Sequence, residues 1–509
     1  MCRWLAVSGG FTRPLPHLVP TLRYSPQTLT RLVTQVDRLL SGNGKKGMTM
    51  ARTTTGKIGV EDLTDMVEAN EIDTVVTAVC DMQGRLIGKR VTGQFFVEHS
   101  QDHGTHLCTY LLGTDMEMNT PPGYALMNWE SGYGDYLNRP DWDTLRVIPW
   151  LEKTALVLGD LVDESTGELV PVAPRSILRR QVVRAERMGF RPMMASELEF
   201  YLLRDTYEEA AEKGWDALRP WGWYNEDYQL LQATKGEPIY RQFRNLMTEA
   251  GVPIEFSKGE AAPGQHEVNI HYADALESAD RAAIYKHGAK EIAHQSGCSI
   301  TFMAKPDQTW TGSSSHVHMS LWDPTGQKNV FADESSSREM SPTMRHFLGG
   351  LLAGSRELSL FIASNINSYK RYAVASWAPV NIVWSRDNRT CGFRIVGQGS
   401  SLRIEDRLPG GDANPYLAYA AMLAAGLDGI ERAIEPPAEF HGNAYEATGV
   451  PRVPRSMVEA IQALEQSTLA RTAFGDDVVA HYLNMAEVEQ RAYDMAVTDW
   501  ERRRYFERG

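Results

Sequence analysis

The chain has 509 residues, of which 42% are hydrophobic and 23% are charged, and its formal net charge is −13. This length favours two domains over one simple core. The acidic balance argues against a partner that is nucleic acid or an anionic membrane, because phosphate contacts need a basic face. No apolar run of about 18 residues occurs, so we expect no membrane span.

The cysteines of the chain are few and widely spaced. None of the five forms a C-x-x-C pair with another. This spacing is typical of a reducing compartment rather than of a disulfide framework or a zinc site. We therefore expect a cytoplasmic protein.

Residues 1–49 form a basic extension. Residues 1–47 contain seven Lys or Arg and one acidic residue, Asp37. The apolar stretch is too short for a signal peptide, whereas a basic transit peptide remains an alternative. We interpret the extension as disordered or as an artefact of the chosen start site, with Met48 or Met50 as the true first residue.

The next segment is rich in strands and loops. The stretch IDTVVTAVCDMQGRLIGKRVTG predicts a β-hairpin that turns at Gln83-Gly84. After it, APRSILRRQVVRAERMGF has a helical period that begins after Pro174, with Ser176 as its cap. We place a domain boundary near residues 165–173 and expect an α+β fold, with strands and helices mixed to the end of the chain.

Four later segments place charged or polar side chains on one face of a predicted strand, at a spacing of two residues. The sets are Glu197 and Glu199; Gln265, Glu267 and Asn269; His316, His318 and Ser320; and Arg403, Glu405 and Arg407. Alone, the glutamate pair is more often a solvated sheet face and the Arg-Glu-Arg set a row of salt bridges, while a histidine pair is as often a surface pair as a ligand pair. Four such sets in one chain favour a pocket that holds the charges, as in an open barrel.

The candidate ligands favour one class of metal ion. They are five carboxylates and one imidazole, namely Glu197, Glu199, Glu260, Glu267, Glu405 and His316. Oxygen-rich sites of this kind suit Mg²⁺ or Mn²⁺, whereas structural zinc prefers cysteine and histidine. Five carboxylates exceed the needs of one ion, so we expect two or more.

An arginine set accompanies these ligands. It consists of five of the arginines between residues 371 and 407, namely Arg371, Arg389, Arg394, Arg403 and Arg407. Any one of them is as often a surface ion-pair partner, but guanidinium groups match phosphate oxygens well. Metal ions and arginines around one cavity favour phosphoryl transfer from a nucleotide. Neither a Walker motif nor a Rossmann G-x-G-x-x-G is present, so the nucleotide must bind in another way.

The ordered motifs resemble the glutamine synthetase family. They are E-x-E, E-x-A-P-G-Q-x-E, G-S-x-x-H-x-H-x-S-L-W, N-S-Y-K-R, R-I-E-x-R and N-P-Y, and the resemblance runs from about residue 58 to the C-terminus. It implies a β-grasp domain over residues 58–168. It also implies a larger catalytic domain over residues 172–509, whose curved antiparallel sheet forms an open, metal-lined funnel. The family forms double-ring homo-oligomers, which implies a dodecamer with active sites between subunits.

The resemblance also implies a reaction and a role for each site residue. In this family, ATP converts the γ-carboxylate of glutamate into an acyl phosphate, which an amine then attacks. The implied roles are these: Glu199, Glu260 and Glu267 hold one divalent ion; Glu197, His316 and Glu405 hold another; Arg389, Arg394 and Arg403 contact phosphates; His318 and Ser320 contact the nucleotide; and Gly312, Arg371 and Arg407 contact glutamate. Arg371, Arg389 and Arg394 are the candidate catalytic cations.

One departure from the family concerns the second substrate. Members that use ammonia carry a glutamate directly before an A-P pair, where this chain has Trp377. They also carry His-His and Asn where this chain has Lys258-Gly259 and Thr311. An indole cannot act as a base, but it offers an apolar or cation–π wall. We therefore count Trp377 among the catalytic candidates and expect a ligase of the γ-glutamyl-amine branch, which joins glutamate to an organic primary amine as the first step of amine catabolism.

Residues 110–136 are expected to supply part of the amine pocket from a neighbouring subunit. Tyr124, Trp129 and Tyr133 are the candidate wall residues, and Asp115 is either an ammonium-binding carboxylate or an ordinary loop residue. Trp377 itself could be a packing anchor for its loop. Two alternative functions stay open, namely an ammonia-using glutamine synthetase with an altered loop and a catalytically silent, ring-forming relative. The retained metal ligands disfavour the silent relative, because idle buried carboxylates are costly.

Overall fold

The computed structural model describes residues 56–333, 335, 339–373 and 376–509. The predicted basic extension, residues 1–49, lies outside these described residues. Helices and two β-sheets alternate along the described chain, so the predicted mixture of strands and helices is confirmed.

The first sheet has six strands, in the order β2-β1-β6-β4-β3 with β5 paired to β6. The strands are β1 (Thr74–Cys80), β2 (Leu86–Thr92), β3 (Thr105–Cys108), β4 (Asp135–Pro140), β5 (Arg146–Val147) and β6 (Thr154–Val162). Strands β1 and β6 are parallel, and the other pairs are antiparallel. The predicted hairpin is confirmed as β1-β2, and Gly84 in its turn has a φ of +85°, a conformation that glycine adopts freely.

The second sheet has nine strands and carries the candidate site. The strands are β7 (Arg191–Leu203), β8 (Ile254–Gly259), β9 (Gln265–Ile270), β10 (Ala273–Asp274), β11 (Ser299–Thr301), β12 (Ser315–Trp322), β13 (Trp384–Arg386), β14 (Phe393–Val396) and β15 (Arg403–Asp406). Their order is β13-β14-β15-β12-β7-β9-β8, with β10 and β11 also paired to β7. All pairs except β13-β14 are antiparallel.

Fourteen α-helices occur among the described residues. They are α1 (Val60–Glu68), α2 (Gly93–Phe95), α3 (Gln101–His103), α4 (Pro174–Arg187), α5 (Tyr207–Glu212), α6 (Leu230–Glu249), α7 (Ala275–Gln295), α8 (Pro342–Gly354), α9 (Ser359–Ile362), α10 (Pro415–Glu431), α11 (Met457–Glu465), α12 (Thr468–Phe474), α13 (Asp476–Met495) and α14 (Asp499–Tyr505). Short 3₁₀ turns cover Thr109–Leu112, Trp142–Thr144, Ile366–Arg371, Gly399–Ser401 and Ala444–Glu446, and one π turn covers Phe96–Ser100. None of the helices in the described ranges is both long and apolar enough to cross a bilayer.

Helix α4 confirms the predicted helix but not its predicted cap. Pro174 is the first helical residue, where a missing N–H costs nothing because the first amides of a helix have no helical partner. Ser176 lies inside the first turn, where it is buried and its Oγ makes no hydrogen bond to any described residue. The prediction of Ser176 as the cap was therefore wrong.

Strand β7 is fixed from behind by two buried helices. Its side chains alternate, so that Met194, Leu198 and Phe200 face the hydrophobic core while their neighbours face the other way. The Oγ of Ser196 lies 2.7 Å from the hydroxyl of Tyr419 on α10, which also lies 3.1 Å from Ser278 on α7. These contacts hold in place the strand that presents Glu197 and Glu199.

Candidate active site

Strand register brings the predicted charged faces together. Directly opposite residues in an antiparallel pair project from the same face of the sheet. The opposed pairs are Glu197–His316, Glu197–Asn269, Glu199–Glu267, His318–Glu405 and Arg394–Glu405. The polar faces of β7, β9, β12, β14 and β15 therefore form one continuous polar surface.

A cavity of 600 Å³ opens at this surface. Twelve of the fifteen predicted site residues line it, namely Glu197, Glu199, Glu260, Glu267, Gly312, His316, Arg371, Trp377, Arg389, Arg394, Glu405 and Arg407. His318, Ser320 and Arg403 do not line it and lie farther along the same sheet face.

The first carboxylate cluster consists of Glu199, Glu260 and Glu267, whose ligand oxygens lie within 4.8 Å of one another. Glu199 Oε2 accepts hydrogen bonds from the Ser314 amide at 2.7 Å and from Gln265 Nε2 at 3.3 Å. Burial and the nearby charge of Glu260 raise the pKa of Glu199 to about 8, and burial with the charge of Glu197 raises the pKa of Glu267 to about 11. The cluster thus concentrates more negative charge than the chain neutralises, which fits a divalent cation with oxygen ligands.

The second cluster consists of Glu197, His316 and Glu405, whose ligand atoms also lie within 4.8 Å of one another. His316 Nδ1 lies 2.8 Å from Glu197 Oε1 and 3.7 Å from Glu405 Oε1. The His316 Nε2 atom is buried and has no hydrogen-bond partner among the described residues. Two carboxylates and one imidazole around a common point are a donor set that a divalent ion can use.

Two arginines bracket Glu405. Arg407 Nη1 donates to its Oε1 at 2.6 Å, and Arg394 Nη1 donates to its Oε2 at 2.8 Å. Although burial alone would raise the pKa of Glu405, Arg407 and His316 lower it to about 2. Unlike Arg394 and Arg407, Arg389 is exposed in the cavity and makes no hydrogen bond within the described residues.

Arg371 lies beneath the cavity floor. Its buried guanidinium donates to Leu408 O at 2.8 Å and to Ser314 Oγ at 2.6 Å. A Cβ on Gly312 would lie 2.7 Å from Arg371 Cγ, so only glycine fits against this arginine without displacing it. Most of the Arg371 donors therefore bind the chain itself, while its Nε has no partner among the described residues.

The three predicted residues outside the cavity contact one another or nearby groups. His318 Nε2 lies 3.3 Å from Glu197 Oε2, and Arg403 Nε donates to His318 Nδ1 at 3.1 Å. Ser320 Oγ accepts a hydrogen bond from Trp322 Nε1 at 3.0 Å. A second cavity of 960 Å³ shares Arg394 with the first.

Trp377 lies on the cavity wall with 59% of its surface exposed. Its φ is +63°, in the left-handed region that bulky residues rarely adopt. Such a conformation costs about 1–3 kcal/mol and is found most often at functional sites. An exposed ring on a strained backbone does not fit the alternative that Trp377 is only a packing anchor.

Nine cavity residues were not among the predicted site residues, and four of these nine have a charged or aromatic side chain, namely Asp227, Tyr228, Phe256 and Lys258. Phe256 pairs with Asn269 and Lys258 pairs with Glu267, so alternation along β8 was a usable signal for both. Asp227 and Tyr228 precede α6 in a loop, where no periodic pattern marks them. Lys258 Nζ contacts Glu260 and lies 3.7 Å from Glu267 Oε2.

The candidates from residues 110–136 do not line this cavity within the chain. Asp115 accepts hydrogen bonds from the amide and side chain of Asn119. The Tyr124 ring lies in the hydrophobic core against His481, so its prediction as a pocket wall was wrong. Trp129 is exposed and packs edge-on against Tyr133.

Comparison with known proteins identifies the family. Residues 171–505, well over half of the chain, match the family described as the glutamine synthetase catalytic domain. A γ-glutamylethanolamide synthetase of Streptomyces coelicolor is 50% identical over 465 residues, which cover 91% of this chain and 99% of that relative. The chain belongs to the glutamine synthetase family. Members of this family are ATP-dependent carbon–nitrogen ligases that use divalent metal ions.

Other relatives agree with this assignment. A glutamate–isopropylamine ligase of a Pseudomonas species is 39% identical over 448 residues, covering 87% of this chain and 97% of the relative. A glutamine synthetase of Thermotoga maritima is 33% identical over 457 residues, covering 88% and 99%. A solved structure of GmaS without ligand superposes with a TM-score of 0.77 and 29% identity, covering 88% of this chain and 99% of that one. The predicted family and its γ-glutamyl-amine branch are confirmed.

Proposed function

We propose that this glutamine synthetase family member joins the γ-carboxylate of glutamate to an organic primary amine, using ATP and a γ-glutamyl phosphate intermediate, as the first step of amine catabolism. Trp377 carries the proposal, because an exposed indole lines the cavity where ammonia-using members have a carboxylate. The relatives named for an ethanolamide product and for isopropylamine as a substrate support it.

The two clusters are the proposed divalent-ion sites. Glu199, Glu260 and Glu267 would hold one Mg²⁺ or Mn²⁺, and Glu197, His316 and Glu405 would hold another. Their support is the convergence of ligand atoms within 4.8 Å in each cluster. Bound divalent ions would neutralise the phosphate oxygens of ATP during phosphoryl transfer.

Cationic side chains are the proposed phosphate and glutamate contacts. Arg389 and Arg394 present guanidinium groups to the cavity and would stabilise the transferring phosphoryl group. Glutamate would bind at the floor beside Gly312, Arg371 and Arg407. Since most donors of Arg371 are taken by Leu408 and Ser314, its main task would be to position that floor.

The nucleotide would extend from the cavity along the same sheet face. His318, Ser320 and Arg403 lie there, outside the 600 Å³ cavity, and His318 links them to it through its contact with Glu197. Arg394 also lines the adjoining cavity of 960 Å³, which has room for a nucleoside. This placement would put the phosphates between the arginines and the carboxylate clusters.

The larger architecture is also a proposal. Residues 58–168 would form a β-grasp domain, residues 172–509 a funnel-shaped catalytic domain, and the chains a cytoplasmic double-ring homo-oligomer, such as a dodecamer. The exposed Trp129 and its partner Tyr133 support shared sites, because they do not reach the cavity of their own chain. From a neighbouring subunit they would extend the amine pocket.

The proposed second half-reaction balances as follows. The protonated organic amine first loses one proton. The lone pair of its nitrogen then attacks the acyl carbon of γ-glutamyl phosphate. The carbon–nitrogen bond forms as the carbon–oxygen bond to phosphate breaks. A second nitrogen proton leaves with the phosphate as hydrogen phosphate. The products are a γ-glutamylamide and phosphate.

The test is phosphate release from ATP and glutamate with a panel of amines, including methylamine, ethanolamine, isopropylamine and aniline, and with ammonium as the comparison. We expect at least one organic amine to give a kcat/KM about 100-fold above that of ammonium, a difference of about 2.7 kcal/mol in transition-state binding. Efficient turnover with ammonium alone would favour an ammonia-using glutamine synthetase. No release with any amine would favour the silent relative. The variant Glu199→Gln should lose all turnover.

A further inference from the structure

One corner of the cavity contains three large aromatic side chains that remain open to solvent. Tyr228 is 67% exposed, Phe256 is 50% exposed and Trp377 is 59% exposed, and all three line the same cavity. Exposed aromatic groups that share a concave surface are typical of a binding site for an apolar group. The roles proposed for the carboxylate clusters and the arginines do not involve these three aromatic residues.

The backbone directs these side chains into the cavity. Phe256 lies opposite Asn269 on β9, so its ring projects from the face of the sheet that carries the carboxylates. Tyr228 lies in the loop before α6, and its amide donates to Gly259 O at the end of β8 at 3.3 Å. Tyr228 and Trp377 both have positive φ, at +56° and +63°. The loop that carries Tyr228 is thus tied to the strand that carries Phe256.

Asp227 supplies a carboxylate beside these rings. The other five carboxylates of the cavity belong to the two clusters proposed for divalent ions. The Asp227 side chain is 43% exposed and accepts no hydrogen bond from the residues that the structure describes. Its ion-pair partner is Lys258, so among the cavity carboxylates Asp227 is the one that lies outside both clusters and contacts an ammonium group of the chain.

The side chain of Lys258 places a primary ammonium group in this corner. Its Nζ lies 3.5 Å from Asp227 Oδ1 and 4.6 Å from the centre of the Tyr228 ring. A carboxylate and an aromatic face are the two groups that stabilise an organic ammonium ion most effectively. The lysine side chain has the same chemistry as an alkylamine substrate.

We propose that Asp227, Tyr228, Phe256 and Trp377 form the amine subsite. Asp227 binds the ammonium end of the substrate, and the three rings contact its organic substituent. The substrate class is a primary monoamine with a short, uncharged alkyl or aryl substituent. The substrate ammonium would replace Lys258 as the partner of Asp227, and diamines are disfavoured because their second ammonium group would lie against the three rings without a carboxylate of its own. This inference rests on the proposed amine-ligase function.

The test compares Michaelis constants of the full-length enzyme and its variants, with isopropylamine as the probe. Asp227→Asn should raise the KM for isopropylamine about tenfold or more, which corresponds to the loss of one good ionic contact, while the KM values for ATP and glutamate change less than about twofold. Phe256→Ala should raise the KM for isopropylamine more than that for methylamine, because methylamine has less surface for the ring to contact. Putrescine should have a KM above that of isopropylamine.

The matched control is Trp223→Ala. Trp223 lies on the same segment as Tyr228 and is 78% exposed, but it does not line the cavity. This variant should keep the wild-type KM for every substrate. Phe256→Leu serves as a conservative second variant if Phe256→Ala does not fold, and it should raise the KM for isopropylamine in the same direction.

The possible results distinguish a failure of the proposed amine subsite from a failure of the proposed amine-ligase function. No amine-dependent phosphate release by the wild type would overturn both. Release by the wild type, with an unchanged isopropylamine KM in Asp227→Asn and in the Phe256 variants, would overturn the subsite alone. An equal rise of KM for all three substrates, together with a lower melting temperature, would assign these residues a structural role and also overturn the subsite.

Discussion

Replacement of Glu405 by glutamine tests the electrostatic network at the floor of the site. Glu405 is buried, and its two oxygens accept charged hydrogen bonds from Arg407 at 2.6 Å and from Arg394 at 2.8 Å. The glutamine side chain has the shape of glutamate but no charge. Its NH₂ group would face a guanidinium, so that two hydrogen-bond donors would oppose each other. Removing one partner from a buried ion pair costs about 3–5 kcal/mol, because the remaining charges lose their compensation.

The assay is equilibrium unfolding in urea, in a chelating buffer and at a fixed protein concentration. We expect Glu405→Gln to lower the free energy of unfolding by about 3–5 kcal/mol. The matched control is Glu431→Gln, because Glu431 pairs with Arg184 at 2.7 Å but is half exposed. Exposed pairs contribute about 1 kcal/mol or less, so the control should stay close to the wild type.

The same variant reports on the proposed metal site. Glu405 belongs to the cluster with Glu197 and His316, so Glu405→Gln should bind fewer Mn²⁺ ions, or bind one of them at least about tenfold more weakly, in an electron paramagnetic resonance titration. Equal unfolding free energies for Glu405→Gln and Glu431→Gln would refute the reasoning about the buried network. An unchanged Mn²⁺ titration would refute the assignment of Glu405 as a ligand.

Three further predictions concern separate parts of the chain. Trp377→Glu should raise kcat/KM for ammonium and lower that for the preferred organic amine by about tenfold each, measured as phosphate release; no gain with ammonium would show that Trp377 does not set amine specificity. Arg389→Ala should lower kcat about 100-fold without changing the melting temperature, because Arg389 binds no described residue; retained activity would exclude a phosphate-binding role. Burial lowers the pKa of His481 from 6.5 to about 4, so the unfolded chain takes up a proton first as the pH falls. Between pH 6.5 and 4 the wild type should therefore lose about 3 kcal/mol more stability than His481→Asn in urea unfolding, and equal losses would contradict the burial argument.

The sequence predicted the site better than its surroundings, and the reason lies in strand alternation. Glu197 with Glu199, and Arg403 with Glu405, are spaced by two residues, so each pair had to share a face once its strand formed. Which strands become neighbours depends on tertiary packing, and the register that places Glu197 opposite His316 could not be derived from either strand alone. The family resemblance indicated that these strands contribute to one site.

No periodic sequence pattern marked the loop residues of the site, the helix cap or the buried aromatic residues. Asp227 and Tyr228 lie in a loop, where position is determined by contacts such as the Tyr228 amide with Gly259 O. The predicted cap at Ser176 was wrong because Pro174 already starts the helix and leaves Ser176 inside its first turn. Tyr124 was chosen for its aromatic side chain, but packing against His481 buries it. Side-chain burial of this kind depends on distant segments and is not visible in local sequence.

The central claim is that the second substrate is an organic amine rather than ammonia. A competition experiment tests it most directly, with glutamate, ATP, ammonium and the best amine of the panel at equal concentrations, and the glutamyl product identified by mass spectrometry. Our account predicts that nearly all of the product is the γ-glutamylamide of the organic amine. Glutamine as the main product would contradict it.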